Sequence, residues 1–258
     1  HSFHRRSLLI EVIVEDRVLE ICIDRPDAKN ALTLAMYDAM TAALEQAESS
    51  DDVRVVLFRG SHGVFTSGND LQDFIEDPPL GEDTPVFRFL QKIVSFEKPV
   101  VAAVDGWAVG IGTTMLFHCD LVYASKRAKL KMPFVDLALV PEAGSSLILP
   151  RMLGHQKAAE LLFFSKKISA EEGEKLGFIN EVVDPDDLLE LARKRAKKLA
   201  ELAPNSLRLT KRLLMNAHHH RLEDAMSAEG ALFKELLQSS EFSEAVSAFF
   251  EKRKPDFG

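Results

Sequence analysis

Two segments of this chain follow one plan: an apolar run, a tight turn rich in glycine, then a helical pattern. The first passes from residues 55–59 into Phe65-Thr66-Ser67-Gly68-Asn69-Asp70-Leu71. The second passes from residues 99–104 into Gly106-Trp107-Ala108-Val109-Gly110-Ile111-Gly112. A strand that turns sharply into a helix presents unpaired backbone N–H groups, because the first helical turn has no acceptors for its donors. Two such turns side by side can aim two N–H groups at one oxygen, stabilising an oxyanion without any charged side chain. The pattern implies an enzyme that stabilises an enolate.

Residues 99–117 are almost wholly apolar and could be mistaken for a membrane span. Asp105, Gly106, Gly110 and Gly112 interrupt them, the first part is β-branched, and the second is built of small residues. A buried strand, a turn and a buried helix fit better than a bilayer helix. At 258 residues the chain can bury a large core, as one domain or as a core with an appendage. A net charge of −8 with no basic run excludes a nucleic-acid-binding surface. A polyanionic ligand would need local Lys or Arg, or helix N-termini. Cys22 and Cys119 lie far apart in apolar contexts, which suits free buried thiols and a reducing, cytoplasmic compartment. His1-Ser2-Phe3-His4-Arg5-Arg6 has no apolar core of signal-peptide length and reads as a frayed start or an added remnant.

Residues 9–14 and 18–23 read as a hairpin about the polar turn Glu15-Asp16-Arg17. The loop Arg25-Pro26-Asp27-Ala28-Lys29-Asn30-Ala31 follows, and Thr33 is placed to cap a helix whose face is Leu34, Tyr37, Met40, Leu44 and Ala47. Strands are predicted at 55–59, 99–104, 121–124, 129–132 and 178–183. Helices are predicted at 86–94, 144–153, 155–164 and 170–176. From residue 188 the pattern is helical throughout. The fold class is therefore α/β, with a core at 1–186 and a helical C-terminal region at 187–258.

These pieces together resemble the crotonase (enoyl-CoA hydratase/isomerase) superfamily, essentially from end to end. The likeness rests on Pro26 with Asn30-Ala31-Leu32, on the two glycine turns, and on Lys98-Pro99-Val100. Cys119-Asp120, Leu139-Val140-Pro141-Glu142 and the terminal Phe249-Phe250-Glu251-Lys252-Arg253 complete it. The resemblance implies a spiral of ββα units capped by helices, assembled as trimers or paired trimers. It implies a coenzyme A thioester as substrate, with no further cofactor, no metal, no nucleic acid and no membrane. The two oxyanion donors would be the N–H groups of Asn69 and Ile111. Adenine and pantetheine would lie along Ala28, Lys29 and Ala31 and along Ser67, Gly68, Asp70 and Leu71. Gly110 and Phe134 complete the expected substrate contacts.

Hydratases of the family carry two glutamates at positions that are Thr114 and Phe134 here, and neither can act as a carboxylate. Glu142 matches instead the catalytic glutamate of the peroxisomal-type Δ3,Δ2-enoyl-CoA isomerases, and the Ser-Gly-Asn-Asp wording of the first turn also resembles that branch. A double-bond shift needs only one carboxylate, as base and then acid. An apolar pocket would raise the Glu142 pKa toward neutrality. The competing reading makes Glu142 a loop carboxylate favoured by a helix N-terminus.

For the other candidates the plainer roles are favoured. Asp70 reads as a helix cap and Asp120 as a structural hydrogen-bonding group. Phe249 and Phe250 fit a packed helix face as well as an acyl-chain cover, and Lys252 with Arg253 reads as a solvated helix end. His218-His219-His220 reads as an exposed helix end, since consecutive helical residues point about 100° apart and cannot converge on one ion. His118 and His155 are expected to be structural. Three functions compete with the isomerase. One is a hydratase using Glu142 alone. Another is a nucleophilic carboxylate acting on haloaromatic thioesters, which would need a Trp near Phe134, whereas Trp107 is the sole Trp. The last is an acyl-CoA-binding scaffold without catalysis.

Overall fold

The computed structural model describes residues 3–7, 9–216 and 219–258. The chain opens with β1 (Phe3–Ser7), antiparallel to β2 (Ile10–Glu15), which is antiparallel to β3 (Val18–Ile23). This corrects the frayed start expected for the first residues. The free edge of β2 offers unpaired N–H and C=O groups, and residues 3–7 take them. Asp16 and Arg17 close the hairpin at φ of 51° and 62°, the turn hand that matches strand twist.

A single 3-10 turn at Pro26–Ala28 leads to α1 (Leu34–Ser49), whose start is fixed by the Thr33 hydroxyl accepting from the Met36 N–H. Of the predicted α1 face, Tyr37, Met40, Leu44 and Ala47 are fully buried and Leu34 is half-buried. β4 (Val55–Arg59) passes through the first glycine turn into α2 (Leu71–Glu76), followed by α3 (Pro85–Ser95) and β5 (Val100–Val104). β6 (Trp107–Val109) lies within the second turn and precedes the single-turn helix α4 (Ile111–Thr114). Then come β7 (Leu121–Ser125), β8 (Lys129–Lys131), α5 (Ser145–Leu153), α6 (His155–Phe163), β9 (Ile168–Ser169), α7 (Ala170–Lys175) and β10 (Glu181–Val183). The strand predicted at 178–183 is shorter than expected because the Phe178 N–H turns back to the Gly173 carbonyl and closes α7. α8 (Pro185–Glu201), α9 (Pro204–Asn216), α10 (His219–Leu237) and α11 (Ser240–Glu251) form the expected helical end. The reading of the histidine triplet falls partly outside the described residues; α10 begins at His219.

The main sheet has the order β1-β2-β3-β4-β5-β7-β10, parallel from β3 onward. Alternation along its strands feeds two packing layers. Val56, Phe58, Val100, Ala102 and Val104 join α1 and α3 in the larger core, whereas Val55, Leu57, Val101 and Ala103 meet Leu188, Ala192, Ala196 and Ala200 of α8. Alanines on α8 let that helix lie close to the sheet. Glu20 of β3 is buried beneath it and ion-pairs with Arg59 of β4 and, at 2.8 Å, with Arg193 of α8. A second, three-stranded sheet runs β6-β8-β9. Its β6 strand carries the second glycine turn, which an isolated bridge between Thr66 and Ala108 joins to the first.

Candidate active site

The two glycine turns are joined by main-chain hydrogen bonds. The Thr66 N–H donates to the Trp107 carbonyl at 3.0 Å, and the Val109 N–H donates to the Thr66 carbonyl at 3.0 Å. Contact is so close that a Cβ on Gly106 would stand 1.9 Å from the Gly63 carbonyl oxygen; only glycine fits, at φ +65°. Thr66 also donates its hydroxyl to the Asn30 carbonyl at 2.7 Å and accepts from the Gly68 N–H at 3.1 Å, fixing the turn from within.

The loop at residues 25–31 lies along the first turn. Ser67 donates its N–H to the Lys29 carbonyl at 3.1 Å and its hydroxyl to the Ala28 carbonyl at 3.4 Å. Arg25 donates to the Ala31 carbonyl and to Asp70. Asp70 also caps α2 through the Gln72 and Asp73 N–H groups, as the sequence implied, and Leu71 is the first residue of that helix. Burial opposes ionisation of Asp70, but Arg25 and the two amides hold its carboxyl below the usual range. Asn30 is fully buried, and its side chain ties the Arg25 N–H to the Ser61 and Val64 carbonyls.

Asn69 pairs with Leu32 as an isolated parallel bridge. The bonds of that bridge come from its neighbours: the Leu32 N–H donates to the Gly68 carbonyl and the Asp70 N–H to the Leu32 carbonyl. The Asn69 N–H consequently points to the other side. Ile111 opens α4 behind Gly110, whose φ of +58° bends the chain and whose own N–H is taken by the Lys131 carbonyl. Among the described residues, neither the Asn69 N–H nor the Ile111 N–H has a protein acceptor.

At the far end of α4, one turn after Ile111, the buried Thr114 hydroxyl donates to Glu142 Oε1 at 3.2 Å. Glu142 is only 6% exposed, and burial pushes its pKa up to about 7; the Thr114 bond lowers it somewhat and the Glu229 charge raises it. The loop carrying it is tightly held. The Glu142 carbonyl accepts from the Ser145 N–H and hydroxyl, and the Ala143 carbonyl accepts from His118 Nε2 at 2.6 Å. Burial keeps His118 neutral, with a pKa near 4, so the imidazole serves as a fixed donor. Ala143 sits at φ +58°, a cost that the surrounding bonds offset.

Tyr37 links the two ends of the site. Its hydroxyl donates to Asn69 Oδ1, and burial followed by the Glu142 charge raises its pKa. Glu142 opens onto a cavity of about 700 Å³ between α3 and α10, whose apolar walls include Val86, Leu90, Val94, Met226 and Phe233. Phe134 does not line this cavity; it is buried in the main core. Three contributors escaped the sequence reading. Tyr37 reads as one more apolar helix residue, and Thr114 as a missing glutamate. Glu229 did leave a signal: an acid at helical spacing among Leu222, Met226 and Phe233 on one face of α10. Among the described residues no cluster of His, Cys, Asp or Glu is placed to hold a metal, and no helix is long and apolar enough to cross a membrane.

Comparison with known proteins bears on what such a site does. Residues 14–258 match the enoyl-CoA hydratase/isomerase family. The chain is 35% identical over 257 residues to the peroxisomal enoyl-CoA delta isomerase 3 of Mus musculus, covering 97% of this chain and 81% of that one. Its fold superposes with a TM-score of 0.93 on an enoyl-CoA hydratase/isomerase from Pseudoalteromonas atlantica T6c, 42% identical, over 97% of this chain and 100% of the other. With Pseudomonas aeruginosa OdaA the TM-score is 0.92 at 50% identity, over 94% and 99% of the two chains. With the match running from β2 to the last residue and the paired glycine turns in place, this chain belongs to the crotonase (enoyl-CoA hydratase/isomerase) family and has its α/β fold.

Proposed function

We propose that the protein shifts a 3,4 double bond of an acyl-CoA thioester to the 2,3 position, with Glu142 as the sole proton carrier. The ionised Glu142 removes a proton from C2 of the 3-enoyl thioester. The electron pair moves onto the carbonyl oxygen, giving a dienolate held by the Asn69 and Ile111 N–H groups. The protonated Glu142 then delivers its proton to C4 as the 2,3 double bond forms, and the carboxylate is regenerated. A pKa near 7 suits a group that must both take and return a proton.

The observation that carries the reading is Glu142 itself: buried, bonded by one hydroxyl, and facing an apolar cavity. No carboxylate stands at 114 or 134, where the hydratase pattern would have two. Likeness to a delta isomerase agrees. We extend the reading to a trimer or pair of trimers working in the cytoplasm on acyl-CoA substrates, without a resident cofactor. Exposed Leu213, Leu214, Phe249 and Phe250 support such assembly, since water would otherwise meet them.

The test follows a 3-enoyl-CoA and a 2-enoyl-CoA with the purified enzyme. Conversion of the former is expected, and Glu142→Gln should lower its kcat by roughly a thousandfold. Hydration of the 2-enoyl-CoA without any shift of the 3-enoyl-CoA would instead make the protein a hydratase. Binding without C2 proton exchange in either form would make it a scaffold.

A further inference from the structure

α10 lies in the helical C-terminal region, yet it delivers the buried carboxylate of Glu229 to the cavity that Glu142 lines. Glu229 is 7% exposed, and among the described residues it has no cationic partner. Three neutral donors hold it: the Gly144 N–H at 2.8 Å, the Ser146 N–H at 3.0 Å, and the Ser146 hydroxyl. All three belong to the segment that follows Glu142 and starts α5. Gly144 is the N-cap position of α5 and has no side chain to serve it, so Glu229 supplies the cap from another helix. The two elements are pressed together there: a Cβ on Gly144 would come within 2.1 Å of the Leu222 side chain.

This arrangement is costly for mere helix capping. A neutral Gln at position 229 could accept from the same amides without burying a charge. A charge beside Glu142 has a different effect. In a medium poor in water, a like charge nearby makes a carboxylate hold its proton more firmly. Burial raises the Glu229 pKa as well, but its three donors favour the charged form where Glu142 has the Thr114 hydroxyl alone.

We propose that Glu229 is a positioning residue for the reaction: it clamps the loop that aims Glu142, and its charge tunes how readily Glu142 takes and returns the proton. The inference rests on the isomerase reading above. Other titratable groups facing this pair are Tyr37 of α1, joined to Asn69, and His118, neutral and bonded to the Ala143 carbonyl. Glu82, Glu223 and Lys234 line the same cavity. Glu229 is the carboxylate bonded to the segment that follows Glu142, at Gly144 and Ser146.

Glu229→Gln keeps the size of the side chain but removes the charge. Its kcat for the double-bond shift is expected to fall roughly tenfold with KM changed less than about twofold, and the acid limb of the kcat profile to move down by about one pH unit. A helix cap alone would lower thermal stability and leave that limb where it is. An unmoved limb overturns the proposal, whatever happens to stability or rate. A second measurement needs no folded variant at position 229. In wild-type protein, 13C-carboxyl NMR of glutamate should show the Glu142 signal titrating in two steps, the lower one at the midpoint of Glu229. A single step overturns the proposal. Should the wild type shift no double bond in any 3-enoyl thioester, the isomerase reading falls, while the two-step titration still decides whether Glu229 acts on Glu142.

Discussion

Burial makes the charged form of Glu142 costly, so its ionisation and the stability of the fold are linked. An ordinary glutamate titrates near 4.5, whereas this one is raised to about 7. Between those values the folded protein holds a proton that the unfolded chain has already released, so stability declines as pH rises through this window. Glu142→Gln removes the cost. It is expected to exceed the wild type by about 2–3 kcal/mol in urea denaturation at pH 8 and to match it at pH 4. The same shift predicts that wild-type kcat/KM rises with pH through about 7, as the base becomes free. In the sequence, resemblance to the isomerase branch pointed to Glu142. Nothing in the letter at position 114 told that Thr114 would donate to it, because a missing glutamate and a working hydroxyl are written alike.

At the scale of elements, the two glycine turns are held by each other. β6 exists because Thr66 and Lys131 supply main-chain partners on either side of Trp107–Val109, and no strand periodicity announced it in three residues. Gly106 is where the two turns touch, so Gly106→Ala drives a methyl group into the Gly63 carbonyl. A loss of about 3 kcal/mol or more is expected by thermal or chemical denaturation, with kcat falling further than stability alone explains as the Ile111 N–H moves. The longer helices were legible because caps and apolar stripes are local. Thr33 before α1 is one such cap, and the helical pattern read from residue 188 onward is met by α8 and the helices after it.

Across the whole molecule, α8 is fastened to the sheet by an acid buried between two guanidinium groups. Burial opposes the charge of Glu20, but Arg193 and Arg59 overcome it and hold the carboxyl below its ordinary value. Glu20→Gln leaves both guanidiniums facing a neutral amide and is expected to cost about 3 kcal/mol at pH 7, read by denaturant unfolding. A depressed folded pKa means that this contribution is present above pH 4.5 and fades as pH falls through the folded value, so wild type and variant should converge in acid.

Taken alone, the chain of residues determined the longer strands and helices and the two glycine turns, since periodicity, caps and glycine act over a few neighbours, and resemblance to the family singled out the acid at 142. Tertiary structure decided which groups meet that acid. Thr114, Tyr37 and Glu229 reach the site from α4, α1 and α10, the last from 85 positions beyond Gly144. Such encounters depend on how layers pack, and side chains brought together by packing leave no local pattern to read.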